Sequence, residues 1–202
     1  MKTILYIHGM GGGADSRIPS ILNDWFTEHH KDIQVAVRTY DFHPDRASEA
    51  IRSWYEELHP DLVIGESLGS VHALALHREP LLLVSPALNA PKFLYALRDA
   101  ARIPAFRRLL NRIYKPREGQ RQILDFSPET LTAWGSYRDC GSVGAPHAFF
   151  GRRDHYRRSG IVSLRQWRRR FGPASYTLYD GSHYMEEEHL AALLIPAILD
   201  RL

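Results

Sequence analysis

Asp61-Leu62-Val63-Ile64-Gly65-Glu66-Ser67-Leu68-Gly69 is the stretch on which the fold turns. Residues 61–65 read as a short buried strand, and the alanine-rich run 68–77 that follows reads as a helix. Between them, Gly65 and Gly69 stand two positions either side of Ser67. A strand that turns straight into a helix strains the residue at the bend, and small residues two positions away relieve the crowding. A serine held at that bend also sits at the positive end of the helix, beside unpaired N–H groups. A tight turn flanked by glycines with an incidental serine would show the same spacing. The strand before it and the helix after it favour the strained turn.

Outward from this turn, short β-rich runs alternate with helical periods. Residues 2–8 form an apolar β-run ending at Gly9, and 33–38 alternate as a second strand. The spacing of Ile21, Leu22, Trp25 and Phe26 predicts a helix over about 18–29. Pro44 opens another through residue 58, with Ala47, Ala50, Ile51, Trp54 and Leu58 at helical intervals. Runs 81–84, 146–150 and 175–179 complete six strands, and a closing helix runs from about 186 to 202. Alternation of this kind predicts an α/β domain: a six-stranded, mostly parallel sheet with helices on both faces. Ligands in such sheets bind beyond the carboxyl ends of the strands.

One stretch breaks the rhythm. Roughly sixty residues separate the fourth and fifth strands, too many for one crossover helix. Leu94, Leu97, Ala101, Phe106, Leu109, Leu110 and Ile113 suggest two short amphipathic helices interrupted at Pro104. The chain is therefore expected to be one domain over 1–202 with a helical cap inserted at about 88–142.

The composition of the 202 residues, 44% hydrophobic and 24% charged, excludes disordered and fibrous classes. No apolar run approaches the ~20 residues of a membrane helix, and the apolar start is too short for a secretory core. The lone Cys140 forms no internal disulfide, which with the rest makes the cytoplasm the expected compartment. A net charge of +3 does not announce a nucleic-acid binder.

The residues at the predicted strand ends carry the chemistry. His8-Gly9-Met10-Gly11-Gly12-Gly13 follows the first strand, and its glycines let backbone N–H groups converge without obstruction. It lacks the lysine of a phosphate-binding P-loop and a convincing dinucleotide setting. An oxyanion hole suits it better, formed by the N–H groups of Met10 and Leu68. His8 is read as an organiser of this loop, supported by Gly9 and Gly11 as the turn at Ser67 is by Gly65 and Gly69. A serine nucleophile needs a base, and the base needs an orienting acid. His183, in the loop after the sixth strand, is positioned to swing toward Ser67. Asp154, after the fifth strand, is the expected acid, with Asp180 as its nearest rival.

These elements together resemble the α/β-hydrolase superfamily: Ile7-His8-Gly9, Gly65-Glu66-Ser67-Leu68-Gly69, Gly151 through Asp154, and Gly181-Ser182-His183 occur in the right order from end to end. More narrowly, the chain is similar to the small bacterial YqiA-like esterases, with Val84-Ser85-Pro86-Ala87 resembling their segment after the fourth strand. Ser70 stands where that group usually carries glycine, and the long arginine-rich insertion departs from it. The resemblance implies a minimal α/β-hydrolase in which Ser67, Asp154 and His183 form a triad.

The resulting expectation is a serine hydrolase that cleaves a small carboxylic ester or thioester through an acyl-enzyme, with no cofactor and no metal. His183 and His189 bracket Glu186-Glu187-Glu188 without a secure ligand pattern. An acyltransferase using the same triad, or a binding protein that never cleaves its ligand, are the alternatives. Arginines crowd residues 98–121 and 152–170. Wet faces of amphipathic helices account for them best, although the first cluster would also suit an anionic ester. Membrane and nucleic-acid partners are not expected.

Overall fold

The structure, a computed structural model, describes residues 1–78, 80–115, 119, 121–137 and 145–202. Its centre is a six-stranded sheet: β1 (Lys2–Ile7), β2 (Ile33–Val37), β3 (Leu62–Glu66), β4 (Leu81–Val84), β5 (His147–Gly151) and β6 (Tyr176–Tyr179). The order across the sheet is β2-β1-β3-β4-β5-β6, and every pairing is parallel, where "mostly parallel" was expected. The register aligns the carboxyl ends, with Ile7 opposite Gly65, Glu66 opposite Val84 and Gly151 opposite Tyr179. Loops that are far apart in sequence therefore leave the sheet along one rim. The chain runs from β1 to the edge strand β2 and back to β3, so the glycine loop after β1 lies beside the turn after β3.

Alternate side chains of each strand serve opposite faces. Ile4, Tyr6, Ile64 and Val84 pack on one face against Ile18, Leu22 and Phe26 of α1 (Arg17–His29) and against Leu190, Leu194 and Ile198 of the closing helix. Leu5, Ile7, Val63 and Leu83 face the other side, covered by Ala47 and Ile51 of α2 (Pro44–Leu58), by α3 (Gly69–Ala75) and by Trp167. Burial on both sides explains why the strands read as continuous apolar runs.

Between β4 and β5 the structure differs from the two helices expected. It has α4 (Ala90–Ala96), a 3₁₀ turn (Ala100–Arg102), α5 (Pro104–Ile113) and α6 (Pro128–Ser136). Pro104 does not interrupt a helix; it starts one, at the position where its missing N–H costs nothing. Leu94, Ala101 and Leu110 are buried as their spacing suggested, whereas Leu109 and Ile113 are exposed. Leu94, Ala101, Leu110, Phe126, Leu131 and Trp134 form a third apolar cluster with Phe42, Leu68 and Val71. Cys140 lies outside the described residues.

After β5 come α7 (Tyr156–Ser159) and α8 (Leu164–Phe171). The closing helix is not uniform: α9 (Glu187–His189) and α10 (Ile195–Leu199) flank a π-helical turn, Leu190–Leu194. Pro196 explains the break, because its ring leaves no N–H to donate and crowds the preceding turn.

Candidate active site

The turn after β3 is built by steric exclusion. A Cβ on Gly65 would stand 2.8 Å from both Ser70 Cα and Ala73 Cβ, and one on Gly69 would stand 2.2 Å from the Ile7 carbonyl oxygen. Only glycines let α3 start this close to β1 and β3. Ser67, pinned between them, has φ +50°, in the left-handed region. Its N–H donates to the Val84 carbonyl at 2.9 Å, and its carbonyl accepts from the Ala87 N–H at 3.1 Å.

Two other loops reach the same point. The end of β5 presses on the loop after β6 so tightly that a Cβ on Gly151 would meet the Ser182 carbonyl oxygen at 2.2 Å. Arg152 N–H donates to Tyr179 O and Arg153 N–H to Gly181 O, which locks the two loops together. The Glu186 carboxylate accepts the Ser182 N–H at 3.0 Å, and Arg17 reaches across from α1 to donate to Met185 O at 2.7 Å. His183 is thereby fixed on both sides.

The outcome is a continuous relay. His183 Nε2 lies 2.9 Å from Ser67 Oγ, and His183 Nδ1 lies 2.8 Å from Asp154 Oδ2. A carboxylate only accepts, so Nδ1 carries the hydrogen and the Nε2 lone pair faces the serine hydroxyl. The other Asp154 oxygen accepts the Tyr156 N–H at 2.8 Å, and the carboxylate has no exposed surface. The Tyr156 ring stands edge-on to His183 at 4.6 Å. Asp180, the rival acid, instead pairs with Arg153 at the surface and is mostly exposed. Glu66 turns away to accept the Tyr6 hydroxyl at 2.8 Å, and burial pushes its carboxyl above the usual range.

The glycine loop lies against this relay, since a Cβ on Gly9 would stand 3.1 Å from Ser67 Cβ. No acceptor among the described residues takes the N–H of Met10 or of Leu68. His8 is buried; its Nδ1 donates to Gly9 O at 2.8 Å, its ring stacks on Tyr40 at 4.2 Å, and Tyr40 donates to its carbonyl. Burial lowers its pKa to about 4, so the ring is neutral near neutral pH.

One residue that sequence reasoning overlooked is Gln122. Only 1% exposed, it accepts the Gly11 N–H at 3.0 Å through Oε1, donates its own N–H to Gly12 O at 2.7 Å and donates Nε2 to Asp41 O. Beside it, Arg121 pairs with Asp15 at 2.9 Å. The segment between β4 and β5 thus grips the glycine loop. Nothing local in Gln122's surroundings signals this, because its partner lies 111 residues away in the chain. No group of three or more metal-ligating side chains is found among the described residues.

Residues 3–99 match the uncharacterised protein family UPF0227. Among solved structures, the chain is similar to a monoacylglycerol lipase from Paleococcus ferrophilus, at 17% identity over 98% of this chain and 92% of that one, TM-score 0.56. It is also similar to Est1E from Butyrivibrio proteoclasticus, solved with ferulic acid bound, at 13% identity over 100% and 89%, TM-score 0.65. A third is mouse alpha/beta hydrolase domain-containing protein 10, at 14% identity over 98% and 90%, TM-score 0.62. At these identities the likeness is one of fold.

Proposed function

Starting from a chain with the α/β-hydrolase fold, we propose that it is a serine hydrolase cleaving a carboxylic ester or thioester through an acyl-enzyme on Ser67. The observation that carries this reading is the unbroken chain of contacts from Ser67 Oγ through His183 to the buried Asp154. His183 Nε2 takes the hydroxyl proton as Ser67 Oγ attacks the carbonyl carbon. Negative charge gathers on the former carbonyl oxygen, and the Met10 and Leu68 N–H groups stabilise it. Losing one such donor typically raises the barrier by ~3 kcal/mol. Asp154 stabilises the imidazolium and holds the tautomer. Protonated His183 then hands its proton to the departing alcohol or thiol. Water, deprotonated by the same nitrogen, releases the acid and restores the serine.

The helices between β4 and β5 act in this reading as a cap. Their apolar cluster includes Leu68 and Val71 beside the nucleophile, with Met10 packed against it. The natural substrate in this reading is a small ester or thioester.

Labelling with a fluorophosphonate tests the proposal. One adduct per chain, lost in Ser67→Ala, supports it. An inert Ser67 in the folded protein overturns it and leaves a ligand-binding role on the same fold.

A further inference from the structure

Five arginines converge on one cleft of about 600 Å³ beside the relay: Arg152, Arg153, Arg157, Arg158 and Arg165. Among the described residues the one acid in its lining is Asp154, whose carboxylate is enclosed and already committed to His183 and the Tyr156 N–H. Arg153 has the exposed Asp180 as a partner. Among the described residues, no carboxylate lies within ion-pair distance of Arg152, Arg157, Arg158 or Arg165. Arg157 Nη1 donates to Gly151 O at 3.2 Å, which orients that guanidinium without neutralising it.

An amphipathic helix accounts for Arg165 as it does for Arg168 and Arg169, all exposed on α8 while Trp167 is buried, but not for the other four. Arg152 and Arg153 sit in the turn after β5, and Arg157 and Arg158 belong to a four-residue helix with no buried residue. Arg153 and Arg157 brace neighbouring loops through Asp180 and the Gly151 carbonyl, whereas Arg152 and Arg158 have no ion-pair partner among the described residues. Held together around one open cleft, they repel one another and concentrate positive potential there. Ser163, which caps α8 by accepting the Gln166 N–H, also lines the cleft, so the eight-residue helix adds its positive end to the same space.

We infer that this cleft binds a small molecule carrying a diphosphate group. Guanidinium forks match phosphate oxygens two by two, whereas a lone carboxylate would leave most of the charge uncompensated. The volume falls within the range of small-ligand pockets, roughly 300–1,000 Å³. Its position after β5 puts it at the carboxyl rim of the sheet, where α/β proteins bind ligands. The inference goes beyond the hydrolase reading and does not depend on it.

Calorimetric titration of the full chain with inorganic pyrophosphate at low salt tests it, run alongside the Arg158→Ala/Arg165→Ala and Arg168→Ala/Arg169→Ala double variants. Expected is saturable binding of one pyrophosphate per chain, weakened about tenfold or more in the first variant (~1.4 kcal/mol) and about twofold or less in the second. Unchanged melting of both variants shows that the fold is intact. Ser67→Ala should bind as the parent does, so failure of the serine chemistry leaves this result standing. Tighter binding of a nucleoside diphosphate assigns the natural ligand to a nucleotide-bearing molecule, and equal binding assigns it to the diphosphate alone. Absence of saturation, or equal loss in both double variants, overturns the proposal. So does a single-stranded oligonucleotide that binds tighter than pyrophosphate and is weakened equally by both.

Discussion

Ser67 holds a left-handed backbone that costs a residue with a Cβ roughly 1–2 kcal/mol. The surrounding hydrogen bonds to Val84 and Ala87 keep it there. Since the hydroxyl contributes little to those bonds, Ser67→Ala should abolish fluorophosphonate labelling and ester turnover while shifting the melting temperature by no more than about 2 °C, or under 1 kcal/mol. Gly69 behaves in the opposite way. A methyl group there meets two backbone oxygens, of Ile7 at 2.2 Å and His8 at 2.4 Å, and neither can swing aside. Gly69→Ala is therefore expected to destabilise the fold by about 3 kcal/mol or more, read from the urea midpoint. An unchanged midpoint would mean that β1 and α3 are less closely apposed than described.

The segment around Gln122 links two elements that the chain separates widely. Through it, the chain between β4 and β5 fixes the loop after β1, where Gly11 has φ +72°. Gln122→Leu keeps the bulk but leaves the Gly11 N–H and the Asp41 carbonyl without this partner, at a cost of about 1–3 kcal/mol. If the loop supplies an oxyanion donor, kcat should fall about 10- to 100-fold with KM changed much less, because only the transition state needs that donor in register. Equal losses in kcat and stability with an altered KM would assign Gln122 a purely structural part. α6 shows how much capping information the same stretch carries: Ser127 accepts from Thr130 N–H and Pro128 follows it. That Ser-Pro-Glu start is a readable helix signal that apolar periodicity alone does not carry.

Across the molecule, two enclosed histidines make stability depend on pH. Burial lowers His8 to about 4 and His72 to about 3, and the Nε2 atoms of both lack a partner among the described residues. The unfolded chain takes up these protons near pH 6.5, whereas the folded chain resists them. Their stability contribution is thus complete above pH 6.5, declines as pH falls, and levels off only below the folded values. For His8 alone the loss amounts to roughly 3 kcal/mol. Glu66, raised by burial, works against this trend. Urea unfolding between pH 7 and 4.5 should show a steadily falling midpoint, with a shallower slope in His72→Gln; a flat midpoint would remove the two imidazoles as the cause. Among the described residues, no helix is long and apolar enough to cross a membrane.

Local patterns were sufficient to read the six strands, the helix over 44–58 to its observed ends and the turn around Ser67. Periodicity and the positions of glycine and proline depend on forces that act within a few residues. The same reading smoothed over the π-turn before Pro196 and undercounted the helices between β4 and β5, because it treated an apolar rhythm as one regular element. Where Asp154, His183 and Ser67 stand relative to one another depends on strand order and register. Gln122's hold on the glycine loop, and the cleft that gathers arginines from a turn and two helices, depend on them too. Those are contacts between distant parts of the chain, and their geometry is fixed only once burial has driven the helices onto both faces of the sheet.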